Sequence, residues 1–148
     1  MMECILDQLH DNYVDSGDDR LQKRMDHVWD MTKTYHPTLI HHLSELDIVP
    51  SVVLLRWIRL LFSRELSVTG VFSIWDRLFL QPTPSFPILD YLATGMLLSS
   101  AERVCAYSSI QEVLQFLQEG DKGMSAQYIW AIARSLWKVG NDRRKGIR

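Results

Sequence analysis

Apolar residues recur at intervals of three and four along almost the whole chain, and no segment alternates apolar and polar residues as a half-buried strand would. Runs with this periodicity predict amphipathic helices. The predicted helices cover about residues 2–13, 21–32, 38–46, 52–62, 68–79, 89–97, 110–117 and 125–139. The pattern therefore predicts an all-α fold, a bundle of about seven or eight helices.

The predicted helix at residues 52–62 is apolar at every position except Arg56 and Arg59. Together with Ser63, these arginines form a narrow polar stripe on a helix that is otherwise apolar, which is typical of a central, largely buried helix. The next predicted helix has a wide apolar stripe made of Val68, Val71, Phe72, Trp75, Leu78 and Phe79. We expect both helices to belong to one hydrophobic core.

Prolines and capping residues mark the boundaries of the predicted helices. The second helix must end before Pro37, and three prolines make residues 81–87 a loop. Gly140 is expected at the C′ position that ends the last helix. The candidate N-cap residues are Asp18 or Asp19, Ser108 or Ser109, and Ser125.

Composition narrows the class of protein. A chain of 148 residues with 47% hydrophobic and 23% charged residues has the size and balance of one globular domain. Its formal net charge of −2 provides no basic excess for nucleic acid. Cys4 and Cys105 lie in no spacing used for zinc or a redox dithiol, which indicates reduced thiols in a cytoplasmic protein. We expect no membrane span and no secretion, because no apolar run of about 18 residues and no leader-like N-terminus occurs.

Few residues are arranged for chemistry of their own. The aspartates at residues 15–19 lack the glycine position and the closing glutamate of an EF-hand loop, which favours a capped turn. His36, His41 and His42 are close in sequence, but no Cys or carboxylate stands at ligand spacing, so solvated histidines are favoured over a metal site. No phosphate-binding glycine loop or nucleophile elbow is present. The basic NDRRKGIR at the C-terminus favours a solvated tail over a lipid anchor.

The order of residues between positions 42 and 79 carries a family resemblance. The residues that carry it are His42, Leu43, Leu46, Ile48, Pro50, Leu55, Arg56, Trp57, Leu61, Phe62, Arg64, Glu65, Ile74, Trp75, Asp76, Leu78 and Phe79. This order resembles the C-terminal half of the TBC domain, the GTPase-activating domain that acts on Rab GTPases. The resemblance covers about residues 21–117 and is closest to the branch that includes the TBC domain family member 5 proteins. It implies a Rab partner and a role in vesicle trafficking, on endomembranes reached through that Rab.

The resemblance does not extend to the residues that stimulate hydrolysis. Family members insert an arginine from an I-x-x-D-x-x-R motif and a glutamine from a Y-x-Q motif into the nucleotide site of the Rab. The arginine neutralises charge on the transferred phosphoryl group, and the glutamine orients the attacking water. No tyrosine here has a glutamine two residues later, and no aspartate has the required isoleucine and arginine. The resemblance therefore transfers no catalytic residue, and it implies a GTPase activator that is no enzyme itself, needs no cofactor and is inactive alone.

Arg64 and Glu65 fall at the break between the two helices that carry the resemblance. They are the candidates for contact with a partner, and an exposed ion pair is the plainer interpretation. The remaining signature residues are predicted to lie in the core: Arg56, Trp57, Phe62, Trp75 and Asp76.

The resemblance also divides the chain. Residues 1–20 are expected to form an N-terminal helix and turn, residues 21–140 a partial TBC domain, and residues 141–148 a basic tail. Because the two helical halves of a complete TBC domain pack on each other, a C-terminal half alone should expose apolar surface and could associate through it. Two functions stay open: a Rab GTPase-activating protein or part of one, and a non-catalytic helical module that binds a Rab or another helical partner.

Overall fold

The described part of the chain forms seven α-helices and no strand. The computed structural model describes residues 17–81, 87–119 and 124–146. The helices are α1 (Gly17–Tyr35), α2 (Pro37–Glu45), α3 (Pro50–Arg59), α4 (Val68–Phe79), α5 (Ile88–Ala106), α6 (Ile110–Gln118) and α7 (Ala126–Lys145). The all-α prediction is confirmed, and the helix expected at residues 2–13 lies outside the described residues.

Side-chain caps begin several helices where the sequence predicted them. The hydroxyls of Ser109 and Ser125 accept hydrogen bonds from the amides of Glu112 and Tyr128, which starts α6 and α7. The Glu112 carboxylate in turn accepts a bond from the Ser109 hydroxyl. At α2 the cap is His36, whose ring Nδ1 accepts from the amide of Leu39. His36 therefore begins a helix and does not lie free in a loop.

Neither Asp18 nor Asp19 is an N-cap, because α1 already begins at Gly17. The helix predicted at residues 89–97 continues as α5 to Ala106, nine residues past its expected end.

Two further predicted helix ends are wrong. The helix α3 ends at Arg59, three residues before the expected end, and α7 continues through Gly140 to Lys145. Gly140 lies where α7 approaches α5 closely, because a Cβ at this position would come within 2.6 Å of the Tyr91 hydroxyl. The glycine therefore permits close helix packing and does not end the helix, and much of the expected basic tail is the last turn of α7.

The helix α5 lies at the centre of the bundle. Every residue from Ile88 to Leu97 is buried, and α5 contacts α1, α2, α3 and α7. A helix that is apolar on all sides is an interior helix. The expectation that the helix at residues 52–62 is central is therefore corrected: α3 buries one side, with Trp57 and Ile58, while Val52 and Arg59 are exposed.

Within residues 17–81, 87–119 and 124–146, no single helix is long and apolar enough to cross a membrane. The helices α2 and α3 reach that length and apolarity only when they are taken together, and a bend of 112° separates them. In the same residues no three His, Cys, Asp or Glu side chains are grouped to hold a metal ion. The Nε2 atom of His42 donates to the Tyr107 carbonyl at 2.9 Å, while His41 lies 3.4 Å from Glu45. His42 is thus bonded to protein, which corrects the expectation that it is solvated.

Candidate partner-binding surface

A turn at residues 60–67 joins α3 to α4 and departs from ordinary helix geometry. Leu61 and Phe62 both have positive φ angles, 46° and 61°, in a region that costs about 1–2 kcal/mol for a residue with a side chain. The turn is closed by the amide of Phe62, which donates to the Trp57 carbonyl at 3.0 Å. Both side chains are buried, and the Phe62 ring centroid lies 6.5 Å from that of Trp57. Burial of these side chains offsets the strained backbone and ends α3 at Arg59.

A buried ion pair fixes the same turn. The Glu65 side chain is fully buried, and its Oε1 accepts from Nε and Nη2 of Arg56 at 2.8 Å and 2.6 Å. The same Nη2 also donates to the carbonyl of Gln118 at 2.7 Å, at the end of α6. A carboxylate without water must find its partners inside the protein, so Arg56 holds the turn and α6 together.

Only one of the two predicted partner contacts is accessible. Glu65 does not face solvent, and the expectation that it contacts a partner is corrected, because Arg56 and the turn enclose its carboxylate. Arg64, the preceding residue, is exposed. Asp76 is also exposed, so it is no part of the core in which it was predicted. Of the two candidates, Arg64 alone can meet a partner.

The remaining signature aromatics connect the turn to α4. Trp57 and Phe62 are each only 1% exposed. Trp75 is half-buried, and its indole Nε1 donates to the carbonyl of Leu61 at 2.9 Å. Because Leu61 is one of the two residues with a positive φ, this bond satisfies a carbonyl of the strained turn and fixes α4 against it.

A row of three aromatic residues lies along the outer side of α4. We call Phe72, Trp75 and Phe79 the aromatic row; their ring centroids are 6.4 Å and 6.2 Å apart along the helix. Phe72 is 59% exposed and Val68, one turn earlier, is 72% exposed. The wide apolar stripe predicted for this helix is therefore not all core: the buried positions are Gly70, Val71, Ile74 and Leu78. An exposed set of large apolar side chains on one helix is typical of a surface that contacts another protein.

A second buried carboxylate, which the sequence did not single out, joins α1 to α5. Asp90 lies 2.7 Å from Nε of Arg24 and 3.2 Å from Nδ1 of His27. The hydrogen bond to Asp90 raises the pKa of His27 above its usual value of 6.5, against the opposing effect of partial burial. An aspartate inside the apolar run ILDYLATGMLL was the available signal for this site.

The fold and the turn define a class of helical domain, and comparison with known families identifies it. Residues 1–104 match the family model of the Rab-GTPase-TBC domain. The match covers more than half of the chain and ends within α5. The chain therefore belongs to the Rab-GTPase-TBC domain family.

Individual relatives agree with this membership. TBC1 domain family member 5 homolog B of Dictyostelium discoideum is 43% identical over 72 residues, which is 49% of this chain and 7% of that protein. TBC1 domain family member 5 of Mus musculus is 38% identical over 68 residues, 46% of this chain and 8% of that protein. TBC1 domain family member 13 of Homo sapiens is 29% identical over 103 residues, 68% of this chain and 26% of that protein. The chain thus spans between 7% and 26% of the length of these three relatives.

Proposed function

We propose that this chain regulates small GTPases of the Rab family in vesicle trafficking, as a Rab GTPase-activating protein or as part of one. The family match over residues 1–104 supports the proposal. The observation that carries it is the turn between α3 and α4, where the signature residues Arg56, Trp57, Phe62 and Glu65 act together in one structure. The chain contributes a folded helical unit, and the Rab itself hydrolyses GTP.

The stimulating side chains are expected to come from outside this chain. A guanidinium that offsets phosphoryl charge and an amide that orients water cannot be replaced by apolar or acidic groups. The sequence has neither of the two family motifs that hold them. By this proposal the chain alone leaves the hydrolysis rate of a Rab unchanged.

The surface around Arg64 and the aromatic row is the proposed contact with a partner. Arg64 is exposed on the turn to which Trp75 is bonded, so the charge and the aromatic row belong to neighbouring parts of the molecule. A Rab, or the remaining half of a TBC domain, would cover this surface. The proposed placement is cytoplasmic, peripheral on endomembranes through the Rab, with residues 21–140 as the TBC part.

The decisive experiment adds the purified chain to a panel of GTP-loaded Rab proteins and measures phosphate release. We expect the intrinsic rate of each Rab to stay unchanged, and a large stimulation would overturn the claim that the stimulating residues lie elsewhere. Binding is measured separately on the same panel. Arg64→Glu should weaken binding, whereas Arg20→Glu, at an exposed position of α1, should not.

A second function, a non-catalytic helical interaction module, is favoured by the exposure of the aromatic row. Exposed rings at helical spacing suit a groove or helix of another protein as well as they suit a GTPase. The dependence of binding on the nucleotide that the Rab carries distinguishes the two functions. A Rab regulator should bind the GTP-loaded form more tightly than the GDP-loaded form, and a module for another helical partner should bind neither form of any Rab.

A further inference from the structure

A groove lies between the end of α4, the start of α5 and the outer side of α7. Its volume is about 490 Å³. It is lined chiefly by Arg77, Leu80, Ile88, Trp130, Arg134 and Trp137. The groove lies outside the turn at residues 60–67.

Arg77 lines this groove, and its guanidinium stacks on a tryptophan ring. Its guanidinium carbon lies 5.4 Å from the centroid of the Trp130 ring, a cation–π contact that fixes the plane of the group. Its Nη1 is buried and has no hydrogen-bond partner among the residues that the structure describes. A buried guanidinium nitrogen without an acceptor costs free energy, and a rotation of the half-buried Arg77 side chain toward an acceptor in the groove would relieve that cost.

The groove is positively charged and has no described carboxylate in its lining. Arg134 faces it from α7, so two guanidinium groups share one groove. Farther along α7 the surface continues into a second groove, where Lys138 and Lys145 add positive charge and Asp142 adds a negative charge. The groove at Arg77 differs in having no described carboxylate to compete for its arginines, so an anionic ligand would be drawn there.

Apolar surface lies directly beside these charges. Leu80 at the rim is 81% exposed, and the Trp130 and Trp137 side chains are half-buried. A ligand that fits must therefore present a carboxylate next to an apolar side chain. A free phosphate or a lipid headgroup offers the charge alone, and a flat bilayer does not enter a groove recessed between two helices.

We propose that this groove binds an acidic peptide segment, in which a Glu or Asp carboxylate pairs with Arg77 and Arg134 and a neighbouring apolar side chain packs on the tryptophan rings. The planar fork of a guanidinium matches a carboxylate in a bidentate geometry, and Trp130 already holds one of the two forks in place. This site is independent of any GTPase, so the chain could hold a second partner while it contacts a Rab.

The test uses a short fluorescein-labelled peptide of alternating Glu and Leu, with fluorescence anisotropy as the readout and the 148-residue chain as the receptor. Arg77→Gln should weaken binding by at least about tenfold, as expected for loss of a charge-assisted hydrogen bond. Arg134→Gln, at an exposed position that does not threaten folding, should also weaken binding. Arg77→Lys should recover only part of the affinity, because an ammonium keeps the charge but not the fork.

The matched control is Arg103→Gln. Arg103 also lies over an aromatic ring, 5.8 Å from the centroid of Phe116, but it does not line the groove. This variant should bind the peptide as the unaltered chain does. Equal weakening by Arg103→Gln, equal binding of a peptide with Gln in place of Glu, or no binding of the acidic peptide would each overturn the proposal. Binding to phosphatidylserine vesicles in preference to the peptide would also overturn it, in favour of a lipid surface.

Discussion

The turn at residues 60–67 and the outer side of α4 use similar residues for opposite purposes. Toward the turn at residues 60–67, Phe62 and Trp57 are enclosed and Arg56 bonds a fully buried carboxylate. On the outer side, Phe72 is 59% exposed although it is as apolar as Phe62. The buried signature residues therefore stabilise a turn, whereas the aromatic row that we propose as a partner contact consists of residues that sequence alone assigns to the core.

Arg56→Ala should have the largest effect, because it leaves the Glu65 carboxylate buried without its partner. Removal of one member of a buried ion pair costs about 3–5 kcal/mol. Removal of the other member of the pair by Glu65→Ala should lower the free energy of unfolding by less. The Arg56 side chain that is left behind is 35% exposed and can regain water. Urea unfolding of the two variants measures the difference.

Arg59→Ala is the matched control for that pair. Arg59 lies on the same helix and is exposed, so its loss should change the free energy of unfolding by no more than about 0.5 kcal/mol. If the Arg59 and Arg56 variants lose equal stability, the ion pair does not hold the turn.

Binding of a hydrophobic dye should report the apolar surface that is exposed on the outer side of α4. We expect the folded chain to enhance the fluorescence of such a dye or to self-associate, because Val68 and Phe72 leave apolar surface in water. Phe72→Glu should reduce both effects while it changes stability by only about 0.5 kcal/mol. A monodisperse, monomeric chain that binds no dye would contradict the exposure of this surface.

The smallest expected effect is a dependence of stability on pH that involves His27. Asp90 has a titrating partner, His27, whose pKa is raised in the folded chain by their hydrogen bond. A raised folded-state pKa stabilises the fold below the unfolded value of about 6.5, and the contribution is lost as the pH rises through the folded value. The His27 side chain is 44% exposed, so solvent screens the interaction and the effect is small.

Urea midpoints at about pH 5.5 and about pH 8.5 measure this contribution. His27→Asn should remove the part of the pH dependence that the unaltered chain loses between these values. An unchanged pH dependence in the variant would show that another group is responsible.

The sequence predicted the helical class and most helices because their apolar periodicity is strong, and it predicted the caps at Ser109 and Ser125 because short hydroxyl side chains suit that role. The prediction of the end of α3 failed. The helix ends at Arg59 because Leu61 and Phe62, two residues with large side chains, adopt positive φ angles just after it. Local propensity does not foresee such a conformation, since only the burial of Leu61 and Phe62 offsets its cost.

The candidate site was predicted less completely than the fold. Glu65 was expected on the surface because a carboxylate next to an arginine in sequence resembles an exposed pair, but its partner is Arg56, nine residues earlier. Gly140 was expected to end a helix, because the approach of Tyr91 from α5 cannot be read from neighbouring residues. The burial of Glu65 and the role of Gly140 therefore depend on contacts with residues outside their immediate sequence neighbourhood.

The difference between the turn at residues 60–67 and the outer side of α4 can be measured directly with one pair of variants, Phe62→Ala and Phe72→Ala. Both remove the same side chain, at positions that are 1% and 59% exposed. Phe62→Ala should lower the free energy of unfolding in urea by about 3–5 kcal/mol, and Phe72→Ala by less than about 1 kcal/mol. Equal losses would contradict the exposure of the aromatic row, because Phe72 would then have to be as well packed in solution as Phe62.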